Sequence, residues 1–255
     1  MLSVAPNPLL FPVVVLPLAL VLLWLSTHLG AWIERRWRPL KEEEREIFQV
    51  ISGAALTLLG LIIAFSFSMA VSRYDQRKNL EEEEANAIGT EYLRVELLPP
   101  AASEKAKALL RWYVDQRIRW YEERHQGRLG RIDQETARLQ GEAWSVVRTA
   151  AAAQPDQVRA VALTGMNDVI NTQGYTQAAF WNRIPEGAWF LMAAISMCCC
   201  ALVGYSAHEV RPSMLVILPV ILSIALFFIS DIDSPRRGLI RVIPHNIISL
   251  QQSLR

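Results

Sequence analysis

The strongest constraint on this 255-residue chain is an apolar run that meets no helix breaker where it ends. Residues 51–72, ISGAALTLLGLIIAFSFSMAVS, carry no charge. At ~1.5 Å of rise per residue they are long enough to cross ~30 Å of hydrocarbon. Beyond Ser72 the sequence turns to charge, yet no proline appears before Pro99-Pro100 and Gly89 is the single glycine. One helix is therefore predicted to begin in lipid and continue into water, until the proline pair breaks it.

Three further apolar runs accompany it. The first, residues 9–29, contains Pro12 and Pro17, which membrane helices tolerate. A secretory signal peptide is the competing reading. No basic residue precedes the run and no small-x-small cleavage site follows it, which favours an uncleaved span. Trp24 and Trp32 suit the membrane–water interface. Residues 187–207 and 214–230 form the third and fourth runs, joined by His208-Glu209-Val210-Arg211-Pro212-Ser213, with Pro219 expected to kink the last. The connector 30–48 reads as a solvated, helix-biased loop, its Arg35, Arg36, Arg38, Lys41 and Arg45 offset by Glu34, Glu42, Glu43, Glu44 and Glu46. A loop so short forces an antiparallel hairpin.

The expected fold is an all-α membrane protein with four transmembrane helices and a large helical cytosolic insertion between spans 2 and 3. Its parts are a hairpin over 1–72, a helical region over 73–186, a second hairpin over 187–231 and a tail over 232–255. Within the helical region, Ser103 is a candidate N-cap for a helix running to about His125. Leu109, Trp112, Tyr113, Gln116, Trp120 and Tyr121 give that helix an aromatic-rich face. A turn is expected at 127–130, then a helix capped by Asp133. After the joint Gln154-Pro155-Asp156 a last helix reaches about Asn182.

Several chemistries lack their residues. An apolar share of 52% beside 20% charged residues fits a division between lipid-facing and water-facing parts. A net charge of +1 without a basic recognition motif argues against nucleic acid. Cys198, Cys199 and Cys200 are consecutive, so on a helix they point ~100° apart, which favours packing over metal ligation. His28, His125, His208 and His245 are scattered, and neither a phosphate-binding loop nor a nucleophile elbow is present. An enzyme is not expected, nor a cofactor. Asp231 and Asp233 follow the fourth span and read as a helix-ending turn, two carboxylates against the six to eight oxygens calcium takes.

The second span is the informative one. Gly53, Thr57, Gly60 and Ala64 stack on one face, where small residues let helix backbones approach closely. An offset face carries Leu58, Leu61, Ile62, Phe65 and Met69. These residues either face lipid and neighbouring helices or, in an oligomer with this helix near its axis, form an apolar ring that gates ions by dewetting. Glu81, Glu82, Glu83 and Glu84 divide in the same way, as a solvated face or as a negative vestibule favouring cations. Lysine and arginine counts on the two sides of the membrane are too close to set orientation.

Three passages carry a resemblance: LLGLIIAFSFSMAVSRYDQR at 58–77, EEANAIGTEYLR at 83–94 and DIDSPRRGLIRV at 231–242. Together they resemble the bacterial bestrophin-like membrane proteins over essentially the whole chain and, more distantly, the bestrophin ion channels. The resemblance implies a homo-oligomer, a pentamer, in the lipid of the bacterial inner membrane that passes a small inorganic ion. It also implies an apolar neck on the second helix, with both termini and the helical region in the cytosol. Phe65 falls at the bulky neck position and Leu61 one turn earlier, whereas Thr57 departs from the pattern. Asp231 and Asp233 are a thin counterpart of the acidic cluster in calcium-activated animal members, so calcium gating does not carry over. The alternative is a non-conducting scaffold whose helical region docks a partner through Trp112, Trp120 and Tyr121.

Overall fold

The computed structural model describes residues 12–36, 41–153, 155–207 and 213–255. Residues 9–11 of the first run, Arg38 of the connector, Gln154 of the joint and residues 208–212 between the last two runs lie outside the described residues. The elements are α1 (Pro12–Arg36), α2 (Glu42–Arg94), α3 (Pro100–Glu122), α4 (Gln126–Ala153), α5 (Gln157–Trp181), α6 (Glu186–Ser206), α7 (Ile217–Asp233) and α8 (His245–Ser253). Short 3-10 turns at Val95–Leu97 and Met214–Val216 precede α3 and α7. No strand occurs among the described residues. Four helical stretches are long and apolar enough to cross a membrane: Pro12–Arg36, Glu43–Leu97, Gln157–Ser206 and Met214–Asp233.

α2 is a single helix of 53 residues, as the missing proline predicts. Its polar half is rich in Glu, Ala, Arg and Leu, all strong helix formers, and nothing removes a backbone donor before Pro99. Pro99 then stands at the N-cap of α3 and Pro100 opens the helix, where a missing N–H costs nothing. That pre-set start displaces the expected cap: Ser103 lies buried in the first turn of α3 instead. The expected turn at 127–130 is also displaced. α3 and α4 are separated by Glu123 to His125, where the Glu123 carboxylate accepts the N–H groups of Arg124 at 2.9 Å and His125 at 2.8 Å. A side chain thus closes the turn, and Gly127, Gly130 and Asp133 fall inside α4. Asp156 caps α5 as expected, its carboxylate accepting the Arg159 N–H at 2.6 Å. The helix bias of the connector shows in its described residues, since α1 runs to Arg36 and α2 already begins at Glu42.

The chain divides into two compact units, Met1–Arg73 with Arg183–Arg241 and Tyr74–Asn182 with Val242–Arg255. In the first, α1 packs against α6 and α7. The α1–α6 crossing is close: Gly30 lies against the Ala201 carbonyl and Gly204 against the Thr27 carbonyl, and a Cβ at either glycine would strike backbone. Small residues at such a crossing let dispersion contacts replace the hydrophobic drive that lipid does not supply. Ser26, Thr27 and Ser223 satisfy their hydroxyls on the carbonyls of Leu22, Leu23 and Pro219 four residues back. Pro219 sits in the first turn of α7, where N–H groups lack intrahelical acceptors, so the reason for the expected kink is gone.

The second unit has an apolar core of its own. Ile88 of α2, Leu110 and Val114 of α3, Leu139 and Val147 of α4, and Met166 and Val169 of α5 are buried together. Trp120 and Tyr121 pack edge-on against Phe180, with ring centroids 4.7 and 5.7 Å away. The aromatic face of α3 is therefore core, and only Trp112 turns outward, 58% exposed. Residues 232–255 divide between the two units. Their first part belongs to the first unit, and α8 packs on α3 within the second.

Candidate functional site

Through the membrane half of α2 one narrow stripe is covered, by Ser52, Leu59 and Ala70 at helical spacing. The opposite side is open. Leu58, Leu61, Phe65 and Met69 are 51, 51, 65 and 45% exposed, and Ile62 is half-buried at the margin. Gly53, Thr57, Gly60 and Ala64 lie on the same open side, with nothing within reach of a Cβ at Gly53 or Gly60. The small and bulky faces are thus adjoining parts of one open surface. The Thr57 hydroxyl donates to the Gly53 carbonyl at 2.9 Å, which satisfies it inside the helix.

The stripe pattern continues past the span with its chemistry inverted. The open side carries Asp75, Gln76, Lys78, Asn79, Glu82, Glu83, Asn86 and Thr90, while Arg77, Glu81, Glu84, Ile88 and Glu91 are covered. Arg77 donates through Nε to the Ala179 carbonyl and through Nη2 to the Asn182 carbonyl, both at 3.1 Å, closing the last turn of α5.

The four-glutamate vestibule is corrected by this register. Glu84 is fully buried and holds the buried Arg117 through Nε, with Nη2 at 3.2 Å and the Tyr121 hydroxyl at 3.1 Å. The Arg117 guanidinium also lies 4.3 Å from the Trp120 ring. Glu81 receives the Ile247 N–H at 3.0 Å and the Asn246 amide at 2.6 Å, an anion at the start of α8. Only Glu82 and Glu83 are exposed. Residues 77, 81, 84 and 88 fall on one helical face, and that spacing was the signal a reading by composition passes over.

Asp231 and Asp233 do end α7 in a turn. Asp231 accepts the N–H groups of Leu239 at 2.7 Å and Ile240 at 2.8 Å, and Gly238 lies too close to the Asp231 carbonyl for any Cβ. Asp233 accepts the Ile184 N–H on both oxygens at 3.1 Å, with Arg73 at 3.6 Å. Backbone donors therefore occupy these carboxylates. Among the described residues no group of three or more His, Cys, Asp or Glu is placed to hold a metal ion. Cys198 is exposed, Cys199 and Cys200 are buried, and all three are free thiols.

The Bestrophin-like domain matches this sequence over residues 21–247. The chain belongs to the bestrophin-like family. Its fold is that of the bestrophin homologue of Klebsiella pneumoniae, with a TM-score of 0.65 at 14% identity over 95% of this chain and 96% of that one. A tryptophan-to-alanine variant of the Klebsiella protein gives 0.67 at 13% identity, over 94 and 95% of the two chains. No curated protein matches. Family and apolar helices together make this bestrophin-like chain a membrane protein.

Proposed function

We propose that this bestrophin-like protein is an oligomeric ion channel whose constriction is formed by the open face of α2. One observation carries the reading: a single exposed stripe is bulky and apolar at Leu58, Leu61, Phe65 and Met69, then acidic at Asp75, Glu82 and Glu83. Any helix that leaves lipid for water turns polar, and what favours a pore here is that the carboxylates continue the open side of the bulky residues. A pore-lining helix uses both, an apolar ring that gates by dewetting and a charged approach that concentrates ions. Gly53, Thr57, Gly60 and Ala64, beside the bulky residues, let neighbouring copies of α2 come close. The subunit number is five by family resemblance, the membrane is the bacterial inner membrane, and the helical region and both termini are cytosolic. The permeant species is a small inorganic cation, because the exposed Asp75, Glu82 and Glu83 outnumber the exposed Lys78 on that side while Arg77 and Arg117 are buried. The protein works without enzymatic chemistry.

The test is single-channel recording of the purified protein in planar bilayers, wild type against Phe65→Ala. Shortening the ring widens and wets it, so larger unitary conductance or higher open probability is expected. Unchanged currents in the variant would remove the neck from α2. Silence from both, with folded and inserted protein, would leave the scaffold reading. That alternative has already lost two of its three aromatic docking residues, since Trp120 and Tyr121 are core.

A further inference from the structure

Glu91 lies on the covered stripe of α2, three residues past Ile88, and is 0% exposed with neither carboxylate oxygen hydrogen-bonded. Glu81, Glu84, Asp231 and Asp233 are buried too, but each has fixed donors. The Glu91 head group instead presses on Gly165 of α5, where a Cβ would collide with its Oε2. Arg94 converges on the same spot, its Nη1 and Cδ 2.7 and 2.9 Å from that Cβ position. Yet Arg94 is paired not with Glu91 but with Asp168 of α5, at 3.4 Å and at the partly exposed edge of the helix contact. One guanidinium thus stands between a buried carboxyl and an exposed one.

Burial pushes the Glu91 carboxyl up to about 8, with Arg94 pulling it down and Asp168 raising it further. A protonated acid explains the missing donors, because a neutral carboxyl is far cheaper to bury than a carboxylate. The charged groups facing it are Arg94 from α2 and Asp168 from α5. Around Gly165, α5 otherwise buries the uncharged Ala162, Met166 and Val169.

We propose that Glu91 is a proton-binding site controlling a two-position arginine in the α2–α5 contact. With Glu91 protonated, Arg94 pairs outward with Asp168. With Glu91 ionised, Arg94 turns inward to the new charge, Asp168 is released and the contact loosens. The inference concerns packing inside the second unit, so it goes beyond the conduction reading and holds for a channel or a scaffold.

When α2 and α5 separate, Glu91 meets water and returns toward the ordinary value of 4.5. Its folded pKa is the higher one. The stability it confers on the contact is therefore complete below 4.5 and is lost as pH rises through about 8. The experiment is hydrogen exchange on the full chain in lipid nanodiscs, followed at α5 amides 162–169 and corrected for intrinsic rates. Opening is expected to rise by up to ~10-fold per pH unit across this window and to level off above it. Glu91→Gln should flatten the profile. Infrared spectra should show a protonated carboxyl band that vanishes between neutral and alkaline pH and is missing from E91Q. Asp168→Asn should lower the midpoint, by removing the acid that raises it and freeing Arg94, while Arg94→Gln should raise it. An E91Q profile with the wild-type slope would overturn the proposal. So would midpoints that fail to separate in D168N and R94Q, a comparison that stands even where E91Q does not fold.

Discussion

The two halves of α2 are built inside out with respect to each other. In the membrane half the covered stripe is small or apolar, Ser52, Leu59 and Ala70, and the larger Phe65 and Met69 point away from the chain. In the polar half the covered stripe holds Arg77, Glu81, Glu84 and Glu91, and the open side is Asp75, Gln76, Lys78, Asn79, Glu82, Glu83, Asn86 and Thr90. Burial is ordinarily driven by water, and lipid removes that drive, so an apolar side chain in the span gains little by turning inward. In the polar half water restores the drive, and the chain covers Arg77, Glu81 and Glu84 by supplying fixed partners, whereas Glu91 is covered without one. One continuous helix thus reports which solvent each of its halves meets.

The comparison is broken most severely at Arg117. Arg117→Ala leaves Glu84 buried without its counter-charge, a change that costs about 3–5 kcal/mol in comparable buried pairs. The second unit should lose cooperative unfolding in denaturant titration, while E84L/R117M, which removes both charges, recovers most of the loss. The next effect belongs to Glu81. Glu81→Ala removes two hydrogen bonds to a carboxylate at the start of α8, worth roughly 1.5–3 kcal/mol each before any relaxation. The C-terminal helix should then become sensitive to proteolysis while the rest of the chain stays protected. In the membrane half the corresponding lesion is steric. Gly204→Ala drives a Cβ into the Thr27 carbonyl and should separate α1 from α6, an overpacking cost of about 1–3 kcal/mol read as a lower melting temperature in detergent.

Much of this was legible beforehand, and the reasons differ by element. The length of α2 followed from a missing proline, and the Asp156 cap from local side-chain chemistry. The turn after α3 was misplaced because a glutamate closes it where glycine was expected. The run of four glutamates was legible in composition but not in role, since its division needed the register of the covered stripe. Glu81 meets Asn246 across 165 positions, and Arg94 meets Asp168 across 74. Contacts so distant leave no local pattern. The neck residues stand differently: Leu58, Leu61, Phe65 and Met69 lie open and Ile62 half-buried, a placement that a pore-lining and a lipid-facing helix share.

The smallest structural effect is the most discriminating. Glu82 and Glu83 sit beside Glu81 and Glu84 in sequence and have the same charge, but they are exposed and their neighbours are not. Exposed charges contribute about 0–1 kcal/mol, so Glu82→Gln with Glu83→Gln should leave melting and proteolysis unchanged. If the open side of α2 lines the ion path, the same double variant should lower cation selectivity, seen as a reversal potential displaced toward the anion value in a salt gradient. The shift should shrink as ionic strength rises, because the field of exposed carboxylates is screened within ~8 Å at physiological salt. An unchanged reversal potential at low salt, in a channel that conducts, would place the ion path elsewhere. The exposed half of the glutamate run would then be a solvated face, and the inversion along α2 would reflect solvent alone.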